Sequence, residues 1–286
     1  MRHRFSKIAA VSALLALPAI SNAEEIWVVT WGNYLLNFDS ATPATTTTRL
    51  ITGLVAPGEQ IVGIDFRPAP PLGRLYALSN TGQLYRLDTP ASGVATPVGP
   101  GGIALSGTEN GFDFNPVVDR IRVIGDADQN LRLHPDLGTL VATDTPLAYA
   151  AADVNAGANP AATGGAYINN FSGTASTLLY DIDSDLDILV TQNPPNNGTL
   201  NTVGPLGVNV SAINGFDVSG QTGIAYAAFN NGAAPSTLYT IHLGTGAATP
   251  VGIIGCNEPV RGLSVNNNLP TPTKASTWGR MKSIYR

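Results

Sequence analysis

Between residues 24 and 273 the chain has no lysine. Charge is scarce throughout, with Asp, Glu, Lys and Arg making up 12% of 286 residues. Surface helices need such residues on their solvent face, so long helices are disfavoured. There is a single cysteine, Cys256, which excludes an intramolecular disulfide. With no histidine beside it, it reads as a small apolar residue rather than a nucleophile. The three histidines, His3, His134 and His242, form no cluster. Gly-x-Ser-x-Gly and phosphate-loop patterns are absent. No apolar run reaches the roughly 20 residues that a membrane helix requires.

The N-terminus does carry a signal. Arg2, Arg4 and Lys7 precede an apolar stretch from Ile8 to Ile20, and Ser21-Asn22-Ala23 supplies small residues for cleavage. This predicts a secretory signal peptide over residues 1–23 and export to the periplasm or the medium. Four more basic residues follow from Lys274 onward, leaving eight arginines against 20 acidic residues between, a net of −12. A body this acidic repels phosphate backbones, which argues against nucleic-acid partners. From residue 267 the chain reads as a Pro-rich linker and a short basic tail.

Glycine (31) and proline (21) are abundant and punctuate a repeat. Gln83-Leu84-Tyr85-Arg86-Leu87-Asp88 matches Thr237-Leu238-Tyr239-Thr240-Ile241-His242, and each is soon followed by Thr-Pro-Val-Gly. One strand series runs Phe38, Leu87, Leu133, Ile182, Ile241. A second runs Ile64-Asp65-Phe66, Phe112-Asp113-Phe114, Ala152-Asp153-Val154, Phe216-Asp217-Val218 and Leu263-Ser264-Val265. A third lies between them, at 26–30, 74–78, 120–124, 166–169 and 224–228. The chain opens on the second strand of a unit, and the missing first strand reappears at the far end as Gly262–Val265. That offset is what ring closure needs. The expected fold is all-β: a single five-bladed β-propeller-like domain over residues 24–266, its C-terminal strand pairing with the N-terminal blade. The fourth unit is irregular, with an insertion at 184–197 that includes a strand candidate at Asp187–Thr191 and runs into the turn-rich Asn193–Gly198.

Gly111-Phe112-Asp113-Phe114-Asn115-Pro116, Asp153–Pro160 and Leu179-Tyr180-Asp181-Ile182-Asp183 form a distinctive combination. With Asn193–Leu200 they resemble the bacterial domain-of-unknown-function family numbered 4394. The resemblance spans nearly the whole body. It implies an exported, propeller-like domain and brings no activity and no catalytic residues.

Asp65, Asp113, Asp153 and Asp217 are the leading candidate ligand-binding set, because they recur at one repeat position. On an innermost strand they would form an acidic ring able to hold a cation such as Ca²⁺. A residue repeated in each blade more often serves the architecture, bonded to backbone N–H groups or to an arginine. Asp181–Asp187 superficially suggests a calcium loop, but Leu186 replaces the required glycine. Tyr76, Tyr167 and Tyr226 share a further position, read as inter-blade packing. The expectation is a monomeric, exported binding or interaction module without cofactor or metal. Its partner would be a protein, a glycan or a small molecule. The alternative is a cation-dependent hydrolase or lyase with its site at the channel.

Overall fold

The computed structural model describes residues 23–88, 90–233 and 235–267. The signal peptide, apart from Ala23, and the basic tail lie outside these residues. Alternation, β-branched residues and frequent turns direct the chain into five sheets, antiparallel throughout except for one short parallel pairing in the fourth. The first contains β1 (Glu25–Thr30), β2 (Tyr34–Asp39) and β3 (Thr47–Leu50). The second contains β4 (Ile61–Phe66), β5 (Leu75–Ser79), β6 (Leu84–Leu87) and β7 (Thr96–Val98). The third contains β8 (Asn110–Asn115), β9 (Arg120–Gly125), β10 (Asn130–His134) and β11 (Thr139–Thr143). In the fourth, β12 (Ala148–Tyr149) joins β13 (Ala162–Tyr167), β14 (Leu179–Asp183), β15 (Ile188–Gln192) and β16 (Thr199–Pro205). The fifth contains β17 (Gly215–Val218), β18 (Ala225–Phe229), β19 (Thr237–Ile241) and β20 (Ala248–Ile253).

The last strand, β21 (Val260–Val265), returns to the first sheet and pairs with β1, Ile26 opposite Val265 and Trp27 opposite Ser264. The five-bladed ring and its closing strand are therefore as the repeat offset predicts. Asn33, Asp119, Asp128 and Asp187 take positive φ at hairpin turns, where a short polar side chain tolerates the left-handed region.

The fourth blade departs from expectation. Its innermost strand is β13, whereas Ala152-Asp153-Val154 lies in a series of turns. Residues 166–169 are thus not a second strand; β14 is. Gln192, not Ile182, is the counterpart of Leu133 and Ile241, since each sits third across from the end of its inner strand. The long interval of 59 residues therefore separates the third and fourth blades, Leu133 to Gln192. The extra chain lies before β13, and the supposed insertion at 184–197 is the ordinary third strand with its turns. The cause is local: β13 reads Gly164-Gly165-Ala166, without the large apolar residue and aspartate that mark its counterparts.

Five hydrophobic clusters hold the ring together, one at each junction between blades. Four contain 11 or 12 buried residues. The junction between the third and fourth blades has only seven, with Ile124 as the third blade's contribution.

Candidate functional site

The five innermost strands share a Gly-x-Asp-like register: Gly63/Asp65, Gly111/Asp113, Gly164/Ala166, Gly215/Asp217 and Gly262/Ser264. Asp65 accepts from Phe114 N at 2.9 Å, and Asp113 from Tyr167 N at 2.8 Å. Asp217 accepts from Val265 N at 2.7 Å, and Ser264 Oγ from Phe66 N at 3.0 Å. Each side chain thus takes the backbone N–H of the next blade's inner strand. Ala166 cannot, and the N–H it would have taken, that of Val218, bonds to Asp217 Oδ1 at 2.6 Å.

Asp65, Asp113 and Asp217 bring carboxylate oxygens within 4.8 Å of one another, fully buried. Desolvation dominates their titration. It raises Asp65 to about 6 and lifts Asp113 and Asp217 well above their ordinary value, with mutual repulsion adding to both. Asp113 Oδ1 accepts no hydrogen bond. The channel above them is nearly shut. Lined by the glycines and by Asn110, Thr163 and Asn214, it leaves about 10 Å³, at the threshold for one water. Arg261 crosses its mouth to Glu109, with bonds of 2.8 and 3.0 Å.

Asp153 does not join this ring. It accepts from Thr202 N at 2.6 Å, Thr202 Oγ1 at 2.7 Å and Asn155 N at 2.9 Å. It pins the turns before β13 to β16. Tyr167 likewise leaves its expected series: it lies on β13, and the position shared by Tyr76, Arg122 and Tyr226 is filled in the other blades by Tyr180 and Trp27.

The thin junction between the third and fourth blades holds a different constellation. Arg122, on β9, is buried, and each of its three guanidinium nitrogens has a partner. It donates to Asp144 Oδ2, Asn130 Oδ1 and Asn196 Oδ1, each at 2.7 Å, and to the Tyr167 hydroxyl at 3.3 Å. Arg132 lies directly across the sheet from Arg122 and grips Asp144 with two bonds of 2.7 and 2.8 Å. Burial opposes ionisation of Asp144, but the bonds from Arg132 and Arg122 outweigh it and hold the carboxyl below its usual value. Arg120, two residues along the same face of β9, has no carboxylate partner among the described residues; it donates to the Asp119 carbonyl at 2.8 Å. The three arginines line a cleft of about 380 Å³ with Asn115, Val118, Val141 and Asn196. That is a volume suited to a small ligand.

Three other clefts among the described residues, of about 350, 330 and 440 Å³, have no arginine in their walls. One of about 350 Å³ includes Cys256, but burial pushes its thiol pKa up, which makes it a poor nucleophile. Sequence reasoning passed over the arginine cleft. One signal was available: three of the eight body arginines fall between 120 and 132 in a stretch without lysine. The contribution of Asn196 from the neighbouring blade had no local signature, although the Asn193–Gly198 turn that carries it was visible.

Fold and site together define a closed five-bladed propeller with a cationic cleft at one blade junction. The chain belongs to the family described as Domain of unknown function (DUF4394), whose model matches residues 34–264. No curated protein matches. Among solved structures it is similar to a structural genomics protein of unknown function from Bacteroides thetaiotaomicron, at 13% identity and a TM-score of 0.50, covering 87% of this chain and 66% of that one. It is also similar to the glutaminyl cyclase of Myxococcus xanthus, at 13% identity and a TM-score of 0.45, covering 77% and 83%. TolB from Acinetobacter baumannii shares 10% identity at a TM-score of 0.46, covering 82% of this chain and 54% of TolB, about half its length. These likenesses concern the fold alone.

Proposed function

We propose that this chain is an exported, non-enzymatic binding module that takes its ligand in the cleft between the third and fourth blades. The observation that carries the reading is the buried Arg122–Asp144–Arg132 network. Buried ion pairs are a poor source of stability compared with apolar packing. The junction between the second and third blades also has a buried arginine, Arg67, paired with Asp119 and Asp136, but there it accompanies a cluster of 12 apolar residues. Between the third and fourth blades the apolar cluster shrinks to seven residues, and the network fixes polar side chains around an open cleft. Preorganised polar walls of that kind serve recognition. Export rests on the basic and apolar N-terminus, and mass analysis of secreted protein should give a chain starting at Glu24.

The test of the cleft is native mass spectrometry of protein recovered from the periplasm or the medium. A small molecule should co-purify with the unaltered chain and be lost from Val141→Trp, which fills the cleft. Retention of the same mass by the folded variant would place the ligand elsewhere.

A cation-dependent hydrolase or lyase at the channel has one observation in its favour, the approach of three carboxylates. Against it, each carboxylate already serves a backbone N–H, and the channel leaves a space of only about 10 Å³.

A further inference from the structure

We infer that the cleft between the third and fourth blades binds a monovalent amphiphilic carboxylate. Its carboxyl group sits on Arg120 and Arg132, and its apolar body lies against Val118 and Val141. This rests on the cleft being the ligand site and names the chemistry it selects.

The register brings the cations together. Arg122 and Arg132 are opposite each other on β9 and β10, and Arg120 lies two residues from Arg122 on the same face. Arg120 and Arg132 are therefore diagonal cross-strand neighbours, about 7–8 Å apart at the backbone, within reach of one shared anion. Three arginines line the cleft, and one carboxylate, Asp144, pairs with two of them, Arg122 and Arg132. Arg122 spends its donors on protein groups. Arg132 commits Nε and Nη2 to Asp144, leaving Nη1 without a partner among the described residues. Arg120 bonds only to backbone carbonyls. A planar fork of this kind matches a carboxylate.

Two features narrow the class. The surrounding body carries a net charge of −12 between residues 24 and 273. That field penalises anions of high charge and favours a single negative charge held locally. The cleft wall is also apolar where it meets solvent, with Val118 54% and Val141 46% exposed. A ligand with an aliphatic or aromatic body would cover these valines while its carboxyl group met the arginines.

The experiment is amide chemical-shift mapping on the full exported chain with three probes: hexanoate, hexan-1-ol and inorganic phosphate. Hexanoate should shift the amides of Val118, Arg120, Arg132, Val141 and Asn196 saturably. Hexan-1-ol and phosphate should each bind at least about tenfold more weakly, the scale of one charge-assisted contact. Arg120→Gln should weaken hexanoate by a similar factor and leave hexan-1-ol unchanged. Equal binding of hexan-1-ol would overturn the anion assignment while leaving the cleft as the site. Phosphate as tight as hexanoate would overturn the apolar half. Hexanoate without effect on these amides overturns the inference outright, and the cleft reading falls with it only if Val141→Trp also keeps the co-purified ligand.

Discussion

A carboxyl group with no water around it must be paired, bonded or protonated. Asp65, Asp113 and Asp217 are each bonded to a neighbouring blade's N–H, and their burial and crowding favour the protonated form. The unfolded chain titrates them near 3.8, whereas in the fold Asp65 rises to about 6 and the other two rise well above their ordinary value. The folded state thus keeps protons that the unfolded state releases. Their contribution to stability is complete below pH 4 and is lost as pH rises through about 6 and beyond. Asp136, Asp144 and Asp153 are shifted downward, so their contribution disappears as pH falls below 4. Thermal midpoints should therefore be highest near pH 4 to 5 and decline towards pH 8. Asp113→Asn should flatten that decline. Its amide keeps an acceptor for Tyr167 N–H and sets a donor where Oδ1 has no partner. At pH 7 it should gain about 1 kcal/mol or more, on the scale of one removed pKa unit. Asp113→Ala, which strands the N–H, should lose about 1–3 kcal/mol. A midpoint that climbs steadily to pH 8 would contradict this account.

The inner strands approach one another so closely that a side chain is excluded at Gly63, Gly111 and Gly215. A Cβ on Gly215 would stand 2.5 Å from Leu263 N, and one on Gly63 would stand 2.4 Å from Phe112 Cβ. Neither obstacle is the end of a flexible side chain. Gly215→Ala should force β17 and β21 apart and cost about 1–3 kcal/mol, read as a lower midpoint in urea with the slope unchanged. The same geometry explains what was legible. Gly-x-Asp with a large residue between marks the inner strand in the second, third and fifth blades, and Gly262-Leu263-Ser264 is close enough to be aligned with them. In the fourth blade the backbone requirement survives as Gly164, but the side chains that advertise it are absent, so Asp153 drew the alignment instead. The cleft was harder still. Its arginines become neighbours only once the pairing of β9 with β10 is known, and Asn196 arrives from another blade. Chain order holds periodicity; it does not hold cross-strand register.

A ring of blades is as strong as its seam, because every other junction is covalently continuous. Here the seam has several fasteners. β21 supplies the ladder to β1, and its Val265 N and Ser264 Oγ complete the inner hydrogen-bond circuit on either side. Arg261 reaches Glu109 in the connection to the third blade. Glu24 adds a clasp from the first blade to the fifth, accepting from Thr222 Oγ1 at 2.9 Å and the Tyr226 hydroxyl at 3.0 Å. Deleting residues 259–286 removes the strand, leaves Phe66 and β1 without their acceptors and donors, and strands Glu109 as a buried unpaired charge. The last loss alone costs about 3–5 kcal/mol, a large part of a typical domain's stability. Because the blades share their cores across junctions, an open seam exposes the first and fifth blades at once, and the whole ring should melt together. Truncation after Asn268 keeps every one of these contacts, including that of Asn267 with Gly220 N. The two truncations should therefore separate sharply in thermal melts: the longer one unfolded or molten at 25 °C, the shorter within a degree or two of the full chain. If the longer deletion melts like the full chain, stability resides in individual blades and the seam is not what closes the fold.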